Sequence, residues 1–362
     1  MKNVLKIQFL GDLSLDGLYN DPQQIHGLSS NMKWINDLDK SIDFRVVNWE
    51  SQLWGNGKVN ELKFPRLSTT KMAAEAILPL KVDLALLANN HVFDNWLEGF
   101  NNTSKFLEEN NISSIGATTS EKDKHKSFTF TKHGIKIGVI NFVGLETNPK
   151  LPKNCPIYLN IIEEKTISDE IENLRTEVDH VVVVLHWGDT EYVRCPNVKQ
   201  QSLARKFIDN GASVVIGHHV HCLQGYEEYN GGLICYSLGN FLFGPQLVVP
   251  GKIDSYRTRE DNMTALLAIE FTKSNFEFSW KYLRKDKNQL FLKLDNGSVK
   301  KRHLRTNKYL KDSKRELKRR YKMEQLMSPV RNYIDKNNGF LKAILSLKMK
   351  QFWLFLKILK KG

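Results

Sequence analysis

The chain has 362 residues, of which 41% are hydrophobic, with a formal net charge of +13. That length supports one large domain or two ordinary ones around a real core, and the hydrophobic share excludes an intrinsically disordered chain. The charge is uneven: residues 1–280 carry 28 Lys and Arg against 34 Asp and Glu, a net −6, whereas residues 281–362 carry 25 against 6, a net +19.

Taken from the start, "MKNVLKIQFLGD" has a short, alternating apolar part and no small-residue cleavage site. It is expected to be the first strand and not a signal peptide. No run of about 18 uninterrupted apolar residues occurs, so no transmembrane helix is expected. Beyond it, β-branched runs alternate with helical patterns, the signature of an α/β architecture. Strands are expected at Lys6–Leu10, Phe44–Val47, Val82–Leu87, Lys136–Phe142, His180–Leu185 and Ser213–Ile216. Helices are expected at Thr70–Leu78, Leu97–Asn110, Ile167–Glu177 and Val198–Asn210, the last closed by Asn210-Gly211. From Ile234 to about Phe278 the pattern is strand-rich, with a polar loop near Pro250–Asn262, and "FLKLDNGSVKK" reads as a hairpin turning at Asp295-Asn296-Gly297. The composition breaks near residue 298. We therefore expect a body over 1–298 and a basic, helical extension over 299–362. Cys155, Cys195, Cys222 and Cys235 show no CxxC spacing and read as reduced thiols of a cytoplasmic protein.

Five of the expected strands end in polar residues. Asp12 follows "KIQFLG", Glu50 follows "FRVVNW", Asn89-Asn90-His91 follows "VDLALLA", His186 follows "HVVVVL", and "GHHVHCLQG" follows "ASVVI". The crevice beyond the carboxyl ends of strands is where α/β sheets build sites. Mixed oxygen and nitrogen donors without cysteine suit divalent ions of the Mn, Fe or Zn class. A carboxylate can bridge two such ions about 3.5–4 Å apart, a geometry that serves phosphoester hydrolysis.

"FLGDLSLDG", "NWES", "LANNHVFDNWLEGF", "HWGDTEY", "VVIGHHVHCLQG" and "YSLGNFLF" resemble, in order, the motifs of the CapA group. These are capsule and poly-γ-glutamate synthesis proteins of the calcineurin-like metallophosphoesterase superfamily, and the resemblance spans about residues 6–245. It implies a metallophosphoesterase α/β sandwich of four layers, two mixed sheets flanked by helices. It also implies two divalent ions: Asp12 and His221 on the first, Asn90, His186 and His219 on the second, and Glu50 between them. His91 would be the general acid to the leaving group, with Asp94 holding its ring.

Alternation along the chain has His219 and His221 facing the metals and His218 facing away, as a donor to a ligand, a substrate contact or packing. Asn240 is expected to touch substrate and Trp187 to form a pocket wall or core. Three positions depart from the pattern. Ser14 stands where the superfamily has histidine, Val220 where relatives have proline, and the "HWG" segment is one residue longer.

The resemblance implies a phosphoesterase acting on a phosphorylated or polyanionic precursor of a surface polymer. The alternatives are a non-hydrolytic assembly factor in a polymer-synthesis complex and, more weakly, hydrolysis of an amide-linked polymer. Residues 300–322 hold twelve Lys and Arg against two acids, and "FLKAILSLKMKQFWLFLKILKKG" places Leu341, Ile344, Leu345, Phe352, Phe355, Leu356 and Leu359 on one helical face. Such a helix suits an anionic membrane surface, here the inner face of the cell membrane, with packing on the body or a partner as the alternative. Nucleic acid would not call for so much apolar surface.

Overall fold

The computed structural model describes residues 4–244, 247–249, 252–253, 260, 262–285 and 290–336. In its first part β1 (Leu5–Ser14), α1 (Pro22–Asp37), β2 (Phe44–Trp49), α2 (Lys71–Glu75), β3 (Leu84–Leu86), α3 (Trp96–Glu109) and β4 (Ser113–Ile115) follow one another. The second part comprises β5 (Phe128–Lys132), β6 (Ile135–Val143), α4 (Glu164–Leu174), β7 (His180–His186), α5 (Val198–Asp209), β8 (Val214–His218), β9 (Tyr226–Tyr229) and β10 (Gly232–Cys235). The chain then adds β11 (Asn240–Phe243), β12 (Met263–Phe271), β13 (Phe276–Arg284), β14 (Lys293–Leu294), α6 (Ser298–Leu310) and α7 (Lys314–Lys336).

The first sheet runs β14-β13-β12-β1-β2-β3-β4, with β11 also paired to β1. Its members β1 to β4 are parallel, and β12 to β14 are antiparallel. The second runs β9-β10-β8-β7-β6-β5, with β6, β7, β8 and β10 parallel.

The continuous apolar run of β7 explains the layering. Val182 and Val184 pack between the sheets with Phe9, Val46, Leu84, Ile137, Ile216 and Ile269. Val181, Val183 and Leu185 face the other way, under Ile167 and Ile171 of α4 and Ala204 and Phe207 of α5. The outer face of the first sheet, with Leu10, Val47 and Ala85, is covered by Leu28 and Met32 of α1 and Phe106 and Leu107 of α3. The result is the four-layer α-β-β-α sandwich, and strands buried on both faces read as unbroken apolar runs.

Local chemistry sets the helix starts. The Asp21 carboxylate accepts from the Gln23 amide at 3.0 Å with Pro22 in the first turn. Asn197 and Gln200 form a reciprocal capping box on α5.

The expected hairpin at Asp295–Gly297 is not one. The Asp295 carboxylate accepts from the Gly297 and Val299 amides, both at 2.8 Å, and so launches α6. The buried residues Val299, His303, Thr306 and Leu310 recur at helical spacing, which overrides the Asn-Gly turn signal. The change of charge at residue 298 does not coincide with a gap in packing. His303 bonds the Gln224 carbonyl at 2.9 Å and the Tyr282 hydroxyl at 3.1 Å. Glu260 is 5% exposed and pairs with both Arg194 and Arg302. The amphipathic stretch 341–360 lies outside the described residues. Among the described residues no helix is long and apolar enough to cross a membrane.

Candidate metal centre

Asp12 sits at the join of three strands, opposite Asn48 of β2 and Asn240 of β11. The approach is close because the preceding residue is glycine. A Cβ on Gly11 would lie 2.1 Å from the Gly239 carbonyl oxygen, and the Asp12 amide donates to that oxygen at 2.9 Å. The Asp12 Oδ1 accepts from Asn48 Nδ2 at 2.8 Å and lies 2.9 Å from His218 Nδ1, and Oδ2 accepts from the His219 amide at 3.2 Å. Burial alone would raise the Asp12 pKa, but its contacts with His218 and His221 outweigh that and hold it well below the usual carboxylate range.

Glu50, just past β2, is fully buried, and neither of its oxygens has a hydrogen-bond partner. Its Oε1 lies 3.9 Å from the Nε2 atoms of His91, His186 and His221 alike. Burial, and next the charge of Asp12, push the carboxyl well above its ordinary pKa. Burial also pushes His186 and His219 well below theirs. In His221 burial acts downward too, yet Glu50 and Asp12 outweigh it and raise that imidazole well above its usual value. Asn90 Oδ1 is 2.9 Å from His186 Nε2.

Ligand atoms of Glu50, His186 and His219, and separately of Asp12, Glu50 and His221, lie within 4.8 Å of one another. A buried carboxylate with both oxygens unpaired costs several kcal/mol unless a cation offsets it. These residues therefore fit divalent cations, with Glu50 common to both groups.

The turn after β8 overturns one expectation. His218 does not face away; its ring meets Asp12. Strand alternation fails there because the backbone turns left-handed, at φ 91° for His219 and 55° for His221, a conformation costing about 1–2 kcal/mol for a residue with a Cβ. All three imidazoles therefore converge. Asn240 points at a histidine, its Oδ1 2.8 Å from His221 Nδ1. Trp187 is core: its Nε1 donates to the Tyr236 carbonyl at 3.2 Å, and its ring stacks on Tyr236 beneath the outer helices. Ser14 is buried, and its hydroxyl has no hydrogen-bond partner.

His91 Nδ1 is 2.5 Å from Asp94 Oδ2, which also accepts the Leu67 amide at 2.7 Å. Burial lowers the His91 pKa to about 4 against the opposing pull of Asp94. Two participants escaped the sequence reading. Asn48 bonds Asp12 and lies 3.2 Å from His186 Nδ1; its signal was the alternation that puts it two residues before Glu50. Lys63 is 6% exposed, donates to the Asn90 carbonyl and lies 3.5 Å from Asp94 Oδ1. It comes from an irregular loop whose sequence carried no such signal.

A four-layer α-β-β-α sandwich thus gathers carboxylates, an asparagine and imidazoles at its strand ends, the donor set of a divalent-metal centre. The chain belongs to the family described as bacterial capsule synthesis protein PGA_cap, which matches residues 6–245. It is 29% identical over 252 residues to the PGA biosynthesis protein CapA of Bacillus subtilis, covering 67% of this chain and 64% of that one. It is 27% identical over 275 residues to the capsule biosynthesis protein CapA of Bacillus anthracis, covering 73% and 66%. The match thus spans just under two thirds of these curated relatives' own length. Among solved structures, the Haemophilus influenzae NAD nucleotidase overlaps with a TM-score of 0.47 at 14% identity, covering 89% of this chain and 60% of that one.

Proposed function

We propose that this protein is a divalent-cation-dependent phosphoesterase acting on a phosphorylated or polyanionic precursor in the synthesis of capsule or poly-γ-glutamate. The observation that carries this is Glu50, a buried carboxylate with no hydrogen bond and three imidazole nitrogens at 3.9 Å.

Asp12 and His221 would hold one cation, Asn90, His186 and His219 a second, with Glu50 shared between them. Bound divalent cations supply positive charge to phosphoryl oxygens and lower the pKa of water. The chain's own groups prepare the rest. Asn48 and His218 keep Asp12 oriented, Asn240 orients His221, and Asp94 fixes the His91 tautomer with hydrogen on Nδ1, leaving Nε2 on the side of Glu50. The Nδ1–Asp94 contact thus aims Nε2 into the cluster of Asp12, Glu50 and the other imidazoles. This suits protonation of a leaving oxygen.

The test is metal content together with hydrolysis of a generic phosphodiester and monoester. The wild type should bind Mn, Fe or Zn and turn over at least one ester. His219→Ala should lose metal, and His91→Ala should keep metal but lose turnover. A wild type that holds metal stoichiometrically and hydrolyses neither ester class sinks this reading. It would leave the non-hydrolytic, metal-binding assembly factor, which Ser14 favours by offering the Asp12–His221 group no imidazole.

The segment 337–362 completes the proposal as an anchor to an anionic membrane surface on the cytoplasmic side, supported by its apolar face and lysines. Removing it should move the protein from membrane to soluble fraction. Full-length protein already in the soluble fraction would overturn the anchor.

A further inference from the structure

The loop between β7 and α5 is met, residue by residue, by one face of α7. Tyr321 donates to the Asp189 carboxylate. Gln325 Nε2 donates to Thr190 Oγ1 at 2.9 Å, Ser328 Oγ to the Glu191 carbonyl at 3.2 Å and Arg331 to the Tyr192 carbonyl at 3.1 Å. The Glu324 carboxylate accepts the Arg194 amide at 3.2 Å and is itself held by Arg331 at 2.8 Å. Positions 321, 325, 328 and 331 recur at helical spacing, so four loop residues in order meet one helix stripe in order. Val193, Cys195, Leu317 and Tyr321 form a small apolar cluster between the two.

The other side of the same loop is stitched to the histidine turn. The Tyr192 amide donates to the Val220 carbonyl at 2.7 Å. Gln224 Nε2 and Cys222 Sγ donate to the Val193 carbonyl at 2.7 and 3.2 Å. Val220 is the residue between His219 and His221, both left-handed, and the Tyr192 ring is 6.0 Å from the His221 ring.

We propose that α7, which lies beyond the family match, is a positioning element of the metal centre. It holds Asp189–Arg194 in register and, through Tyr192 and Val193, keeps the left-handed turn of His219 and His221 in place. Those two imidazoles would otherwise sit on a turn that relaxes toward commoner backbone conformations. Only the metal readout below rests on the proposed function; the coupling itself is a property of the fold.

The test uses the full chain with Tyr321→Phe, Gln325→Ala and Arg331→Met combined, which removes three bonds to the loop and the Arg331–Glu324 pair but keeps the Tyr321 ring in its cluster. Amide exchange should accelerate about tenfold in peptides covering 189–195 and 218–222 while β6 and β12 stay protected. Mn2+ affinity, measured by calorimetry, should weaken about tenfold, the usual effect of losing a group that orients a ligand. Ser328→Ala, which removes one bond and little packing, should show the same pattern at smaller size. Unchanged protection of 218–222 with unchanged Mn2+ affinity in both variants overturns the proposal. A wild type that binds no Mn2+ would count against the metal centre, and the exchange result would still decide the coupling.

Discussion

Replacing Glu50 by glutamine should stabilise the metal-free protein and weaken the gain from metal. The Glu50 carboxyl is raised well above its ordinary value of 4.5 by burial and by Asp12, so the folded state holds a proton that the unfolded chain releases near that pH. The sign follows: the contribution is fully present below pH 4.5 and is lost as pH rises toward the folded value. Each pH unit in that window costs about 1.4 kcal/mol, so by pH 7 the loss is at most a few kcal/mol. Glutamine carries no charge in either state and has no such slope. At about 2.1 cal/mol/K of unfolding entropy per residue, 3 kcal/mol on this chain is about 4 °C in melting temperature. Calorimetry at pH 5 and pH 7, in chelator and in Mn2+, reads both effects. In chelator the variant should melt above the wild type at pH 7, and the gap should shrink at pH 5. In Mn2+ at a hundred times Kd the wild type should gain about 2.7 kcal/mol per ion, and the variant distinctly less. A variant that melts no higher at pH 7, or that gains as much from Mn2+, would refute the reasoning.

Three other outcomes are expected. His303 is buried, its Nε2 bonds the Gln224 carbonyl, and burial lowers its pKa to about 4. Its share of stability is therefore present above pH 6.5 and falls away toward pH 4, by about 3 kcal/mol; urea titrations of His303→Gln should show that much less acid slope. Asp94→Asn should leave metal content unchanged but lower phosphoester turnover by about 10–100-fold, because the His91 tautomer is no longer enforced; undiminished turnover would remove Asp94 from the mechanism. Gly11→Ala puts a methyl 2.1 Å from the Gly239 carbonyl oxygen and should cost about 1–3 kcal/mol in chemical denaturation.

Much of the fold was legible locally because its signals are short-range. The expected helix Leu97–Asn110 is observed as Trp96–Glu109, and the expected strand His180–Leu185 as His180–His186. The β-branched runs and caps that define them lie within a dozen residues. The hairpin expected at Asp295 failed because a turn signal of three residues competes with a helical stripe that shows its purpose only once Val299, His303 and Leu310 meet the body.

The same division holds at the site. Residue types and strand-end positions are written along the chain, so Asp12, Glu50, Asn90, His91, Asp94, His186, His219 and His221 could be singled out before any contact was known. What each side chain faces depends on backbone conformation and on partners far away in sequence. Only the tertiary structure turned His218 onto Asp12 across 206 positions, gave Asn240 to His221, sank Trp187 into the core and buried Lys63 against Asp94. It also tied α7, read from composition as part of a basic extension, to the loop beside the histidines. Periodicity reports which side of a regular element a residue occupies, and it loses that power where the chain goes left-handed at His219 or irregular around Lys63.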